Sequence, residues 1–180
     1  MKGIVFTEFL EMVESKFGLA TVDKIIERAE LKTGGAYTAI GTYDFNEMLQ
    51  LILNLSDEVD IPVDDLIHAF GVHFFNHLKK AHPNIFELYK SPMDFLNSVE
   101  GHIHVQVRKI YPGAELPTFE VTKTSPNSME MIYSSQRALY KLAEALMMKT
   151  FEHFHQECTI TYEKLNPEGT RVKFYIIHND

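Results

Sequence analysis

The apolar pattern of this chain changes period at Pro112-Gly113, and that change limits the fold more than any other feature. Before it, apolar residues recur at helical spacing. Ile4, Val5, Phe6, Phe9, Leu10, Val13 and Phe17 form one such run, which Gly18 ends. A short second helix is expected over Val22–Ala29, and Gly34-Gly35 marks a turn. Asp44 is a good N-cap for a helix carrying Met48, Leu49, Leu51, Ile52 and Leu55. Pro62 opens a long amphipathic helix, Val63 through Lys80, and Pro83 and Pro92 open two more. The helix after Pro92 is expected to carry Phe95, Leu96, Val99, Ile103, Val107 and Ile110 and to stop before Pro112-Gly113. Beyond that point Phe119–Lys123 and Met129–Tyr133 alternate as strands around Pro126-Asn127. Ala138 to His155 returns to helix, and Cys158–Tyr162 and Arg171–Ile177 form a last hairpin around Asn166–Gly169. Helices first, then strand, strand, helix, strand, strand, define an α+β chain with an antiparallel sheet of about four strands and a crossing helix.

At 180 residues the chain is long enough for one domain with a sizeable core, and no repeat or interdomain linker interrupts it. A net charge of −8 argues against a nucleic-acid partner. Residues 1–20 interleave Glu8, Glu11, Glu14 and Lys16 with apolar residues, unlike a secretory signal, and no apolar run reaches membrane-spanning length. Cys158 is the single cysteine and has no internal disulfide partner, so a cytoplasmic location is expected.

Chemistry concentrates in Tyr133-Ser134-Ser135-Gln136-Arg137. If this Tyr-x-Ser-x-Arg stretch is extended, Tyr133, Ser135 and Arg137 share one face. Two hydroxyls and a guanidinium fork suit a ligand with two carboxylates. Haem has two propionates and takes a neutral imidazole as an axial ligand. Read alone, the three residues describe equally well a strand end with surface hydroxyls and a solvated arginine.

The neighbourhood gives the stretch its meaning. About thirty residues upstream lies His104-Val-Gln-Val-Arg-Lys-Ile-Tyr111-Pro112-Gly113-Ala-Glu-Leu-Pro117-Thr-Phe119. Together with the opening Met1-Lys2-Gly3, and Ala69-Phe70-Gly71 followed by Phe74 and Phe75, this arrangement resembles the haem nitric-oxide/oxygen-binding (H-NOX) family across essentially the whole chain. That family includes the sensor domain of soluble guanylate cyclase. The resemblance implies a single sensor domain over residues 1–180, with haem b buried between the helical part and the sheet-bearing part. It implies that His104, seven residues before Tyr111-Pro112, is the iron ligand and that His102 is not. It also implies that Tyr133, Ser135 and Arg137 hold the propionates and that Pro117 packs against and distorts the porphyrin.

Oxygen-binding relatives place a tyrosine on the helix after the triad, and the matching position here is Leu142. Phe74 stands where those relatives have a supporting polar residue, and Phe9 where they have an aromatic one. Val5, Phe9, Phe74 and Leu142 together describe a dry distal pocket without a donor, and equally describe core packing. The implied function is a sensor that binds nitric oxide and carbon monoxide at ferrous haem and excludes oxygen. Nitric oxide would weaken the iron–His104 bond, free the helix carrying His104, and let the porphyrin relax against Pro117, with Gly3 and Gly71 as pivots. The signal would pass to a separate histidine kinase or diguanylate cyclase. The alternatives are a haem peroxidase or oxygenase, with His73 as the only nearby acid–base group, and a haem carrier.

The remaining histidines carry less. His68, His82 and His178 are read as surface residues. His73 and His77, four apart on a helix, are read as solvated or capping residues before a shared metal site. His153, His155 and Cys158 invite zinc. Where some relatives carry cysteines this chain has Tyr140 and Leu142, so structural zinc is not expected.

Overall fold

In the computed structural model, which describes residues 1–179, the change of period becomes a change of architecture. Eight α-helices and a four-stranded antiparallel sheet make up the described residues, an α+β fold. The chain divides into two compact units, Met1–His77 and Leu78–Asp180.

The first unit is helical. Helix α1 (Gly3–Phe17) buries Phe6, Phe9, Met12 and Val13 along one stripe. It ends at Gly18, whose φ of 87° only glycine adopts without strain, and the Gly18 N–H closes the turn on the Glu14 carbonyl. Helix α2 (Leu19–Glu27) follows directly, and residues 28–44 then loop back over the start of the chain. There the Gly3 N–H donates to the Gly41 carbonyl at 2.9 Å, and the N-terminal ammonium donates to the Tyr43 carbonyl at 2.7 Å. A Cβ on Gly3 would stand 1.8 Å from the Thr38 carbonyl oxygen, so close packing requires glycine here. Helix α3 (Phe45–Val59) starts with the Asp44 carboxylate accepting the Asn46 N–H at 2.9 Å. Helix α4 (Val63–Ala81) buries Leu66, Ile67, Phe70, Gly71 and Phe75.

Two buried carboxylates tie this unit together. Glu47 accepts from the Thr33 hydroxyl at 2.6 Å and from the Tyr37 phenol at 2.8 Å. Burial, with the Glu47 charge adding to it against the Thr33 bond, pushes the Tyr37 phenol up to about 12. Glu8 on α1 accepts from His73 Nε2 at 3.1 Å and His77 Nδ1 at 2.8 Å, both on α4. The expectation that these histidines are solvated or capping is therefore corrected. They clasp a buried carboxylate that is 65 residues distant from His73 in sequence.

The second unit opens with short helices α5 (Pro83–Glu87) and α6 (Pro92–Asn97), each with proline in its first turn. The single long helix expected after Pro92 is interrupted. Val99–Ile103 forms a π-helical turn, with the Ile103 N–H reaching the Ser98 carbonyl at 3.2 Å and the His104 N–H bonded to Val99, before α7 (His104–Ile110) resumes. Of α7, only His104 is buried; Ile110, expected on the inward stripe, is exposed.

Strands β1 (Thr118–Ser125) and β2 (Ser128–Ser134) form a hairpin, helix α8 (Tyr140–His153) follows, and β3 (Glu157–Lys164) and β4 (Arg171–Asn179) form the second hairpin. The order is β1-β2-β4-β3, so the two hairpins join through β2 and β4. Met129 faces Ile176, Met131 faces Phe174 and Tyr133 faces Val172, all buried, which fixes the register by burial on one face.

Candidate functional site

His104 sits where the π turn ends. A π turn carries one extra residue per hydrogen-bonded ring, a feature that clusters at functional positions in helices. The His104 side chain is almost buried, at 9% exposure. Its Nδ1 donates to Glu100 Oε2 at 3.2 Å, and its Nε2 takes part in no hydrogen bond among the described residues. Burial pushes the imidazole below its ordinary value, and the Glu100 carboxylate opposes that shift only in part. The ring is therefore neutral near pH 7, which is the form that binds metal.

His102 is placed differently. Its Nδ1 lies 2.5 Å from the Tyr89 hydroxyl and its Nε2 lies 3.2 Å from the Gln106 amide nitrogen. Both ring nitrogens are engaged, so a metal would have to displace one of these partners.

A line of aromatic rings runs from His104 into the sheet. His104 contacts Phe119 with centroids 5.9 Å apart, and Phe119 meets Tyr133 edge-on at 5.8 Å. Tyr133 is buried at the end of β2, but Ser135 and Arg137 are not in the strand, so the expected shared face of an extended segment is corrected. The chain turns after Ser134: the Arg137 N–H donates to Ser135 Oγ at 3.2 Å, and Ala138 takes a positive φ of 51°. The turn still brings the three side chains together. Ser135 and the Leu139 backbone bond the Tyr133 phenol, and Arg137 acts on it electrostatically. Burial outweighs these influences and raises the phenol's pKa.

The Arg137 fork is already gripping a carboxylate. Its Nη1 donates to the Glu115 carbonyl at 2.7 Å and its Nη2 to the Glu115 carboxylate. Glu115 and Pro117 lie in the connection between α7 and β1, which Arg137 thereby ties to the turn after β2. The Glu115 side chain is 80% exposed, so this ion pair is weak and exchangeable. Sequence reasoning missed both Glu100 and Glu115. The first was legible as an acid four residues before His104; the second had no signal.

The four residues expected on the distal side lie on α1, α4 and α8. Phe9 is buried, while Val5, Phe74 and Leu142 are partly exposed. In the first unit Phe9 meets Phe70 edge-on at 5.5 Å, and Phe74 lies 5.5 Å from Phe70 and stacks on His77. Tyr140, two residues before Leu142, packs on Tyr162 of β3 at 5.4 Å with Lys164 Nζ 4.7 Å over its ring. His153, paired with zinc chemistry in the sequence reading, packs edge-on against Phe86 and Phe154.

A buried neutral imidazole with one open nitrogen, joined through Phe119 to a tyrosine–serine–arginine turn, is a donor set that fits haem: one axial ligand and a carboxylate-binding fork. Comparison with known proteins gives the class. The family model described as haem-NO-binding matches residues 2–162, and the chain belongs to that family, the H-NOX haem-based gas-sensor domains. Among solved structures, the chain is similar to the Fe(II) unliganded H-NOX protein from K. algicida, at 53% identity, with 100% of this chain and 97% of that chain covered and a TM-score of 0.97. It is also similar to the H-NOX from Shewanella woodyi in the Fe(II)CO state, at 37% identity over 99% of this chain and 95% of that one, with a TM-score of 0.84. The H-NOX protein from S. oneidensis in the Fe(II)NO state shares the fold, at a TM-score of 0.91 and 24% identity over the whole of both chains. No curated protein matches the chain. Among the described residues no helix is long and apolar enough to cross a membrane.

Proposed function

We propose that this chain is a haem sensor selective for nitric oxide. It holds haem b through His104 Nε2, binds nitric oxide and carbon monoxide, and excludes oxygen. The observation that carries this reading is the contrast between two histidines two residues apart: His102 has both nitrogens engaged, whereas His104 is buried, neutral and open at Nε2. Relatives at 53% and 37% identity described as Fe(II) and Fe(II)CO H-NOX proteins support it.

Tyr133, Ser135 and Arg137 hold the propionates in this proposal. Arg137 already selects a carboxylate, and a propionate replaces the exposed Glu115 side chain at little cost. Pro117, beside Glu115 in the same connection, packs against the porphyrin. Val5, Phe9, Phe74 and Leu142 supply apolar surface and no hydrogen-bond donor, so a polarised ligand such as oxygen gains nothing from them. Bound haem would supply a ferrous iron able to take up the gas, held by His104, with Tyr133, Ser135 and Arg137 on its propionates. Release of His104 would let α7 move and, through the contact of His104 with Phe119, would carry the start of β1 with it. The output passes to a separate histidine kinase or diguanylate cyclase in the cytoplasm. Sensing is favoured over peroxide chemistry because Val5, Phe9, Phe74 and Leu142, the residues proposed for the distal side, include no acid–base group.

The test is an absorption spectrum of the purified ferrous protein under air and then under nitric oxide. A ferrous spectrum that survives air and converts to a five-coordinate nitrosyl is the expected result. A stable oxy spectrum contradicts the selectivity, turnover of peroxide supports an enzyme, and rapid haem loss to an apo-acceptor supports a carrier.

A further inference from the structure

Glu100 does two things with one oxygen. Its Oε2 accepts the His104 Nδ1–H at 3.2 Å and the Phe119 backbone N–H at 3.1 Å. Phe119 lies on β1, an edge strand whose outward N–H groups have no ladder partner on that side. Glu100 thus satisfies an edge donor of the sheet and the inner nitrogen of the histidine at once. Its other oxygen, Oε1, lies 3.7 Å from Arg108 Nη2. Glu100 lies within the π turn, Val99–Ile103, and His104 follows directly after it.

We infer that Glu100 is the positioning residue of the iron ligand: its carboxylate fixes the ring of His104 with Nδ1–H donated and Nε2 presented, and locks that ring to strand β1. This inference rests on His104 being the haem ligand. The physical reason is general. A ligating histidine needs its other nitrogen held by an acceptor, which selects the tautomer, sets the ring plane and makes the ligating nitrogen a stronger donor. A carboxylate does this more strongly than a neutral carbonyl, because the hydrogen bond is charge-assisted. The strength of the iron–His104 bond, and therefore how readily it breaks when gas binds on the opposite side, is set by Glu100. Because Phe119 N–H shares the same oxygen, loss of the iron bond leaves the His104 ring tethered to β1 through Glu100.

The test compares Glu100→Gln and Glu100→Ala, loaded with haem, with the parent and with His104→Gly supplied with haem in the absence of imidazole. Glutamine keeps an oxygen for both N–H groups and removes the charge; alanine removes both. Resonance Raman on the ferrous proteins reads the iron–histidine stretch, redox titration reads the potential, and thermal melts read stability. We expect Glu100→Gln to melt like the parent while its iron–histidine stretch falls, its potential rises and its nitrosyl becomes more fully five-coordinate. Glu100→Ala should shift further in the same direction and hold haem about 10- to 100-fold less tightly. A lower melting temperature with stretch and potential unchanged in both variants would make Glu100 merely structural and overturn the inference. If the parent shows an iron–histidine stretch that His104→Gly loses and both Glu100 variants keep unchanged, this inference alone fails. If the parent lacks that stretch, or His104→Gly retains it, the haem-ligand reading fails instead.

Discussion

Each of the two units contains a buried histidine–carboxylate arrangement, and the two are built to different ends. In Met1–His77, Glu8 has both oxygens occupied, by His73 and His77, and Glu47 is held by Thr33 and Tyr37. Each of these carboxylates stitches a helix to another helix or to a loop. In Leu78–Asp180, Glu100 takes one nitrogen of His104 and leaves the other open. The same chemistry makes a clamp where one carboxylate takes two side chains of another element, and a single histidine–carboxylate pair where it takes one nitrogen of a buried imidazole. Within the second unit, ring occupancy separates His104, which keeps one nitrogen open, from His102, whose two nitrogens are both engaged.

Breaking the clamp should have the largest effect. Glu8→Ala removes two hydrogen bonds to a buried carboxylate, each contributing about 1.5–3 kcal/mol. Chemical denaturation should show the loss, while the ferrous haem spectrum keeps its position. An unchanged stability, or a spectrum altered as strongly as by a change at His104, would erase the contrast between the two units.

Next in size is Arg137→Ala. Losing one charge-assisted bond to a propionate, about 1.5–3 kcal/mol, should speed haem transfer to an apo-acceptor by about 10- to 100-fold. Ser135→Ala should have a smaller effect, since a neutral bond contributes about 0.5–1.5 kcal/mol. Equal haem retention in Arg137→Ala and the parent removes the clamp from the account.

Much of the fold was legible because each signal was local. Asp44, Gly18, Pro62, Pro83 and Pro92 mark helix ends by their own chemistry, and alternation in 119–123 and 129–133 marks strands. The π turn was not legible: Val99-Glu-Gly-His-Ile reads as ordinary helix, and a one-residue shift over five residues leaves no trace in apolar spacing. The turn after Ser134 was hidden for another reason, since Ser135 Oγ competes with the ladder for the Arg137 N–H and only the folded chain shows which wins. The expectation of His104 as iron ligand came from the family resemblance, and its burial and open nitrogen appear only in the folded chain. That His73 and His77 belong to Glu8 was not, because the partner stands on another helix far along the chain.

A smaller effect is expected at the apolar residues proposed for the distal side. Leu142→Tyr with Phe74→Asn should introduce a donor and slow oxygen dissociation measurably, with nitric oxide still bound. The gain is limited because a new tyrosine enters a space shaped for leucine. Tyr140→Phe is the control: packed on Tyr162 and under Lys164, it should leave gas spectra unaltered. A strong spectral change in that control would place Tyr140 at the ligand and overturn the selectivity argument.

The smallest effect is a pH dependence confined to the first unit. The Tyr37 phenol is raised from 10.0 to about 12, so its neutral form is favoured by folding. Its contribution is fully present below pH 10 and is lost as pH rises through about 12. Tyr37→Phe should remove that part of the alkaline loss of stability in a melt series; an identical alkaline slope would contradict it.

The central claim is that the open nitrogen of His104, and not any engaged histidine, binds the iron. The most direct measurement is haem incorporation by His104→Gly and His102→Gly, each expressed with and without imidazole. The account predicts that His104→Gly holds haem only when imidazole is supplied, while His102→Gly matches the parent in both conditions. If His102→Gly needs imidazole and His104→Gly does not, the ligand is His102 and the account is wrong.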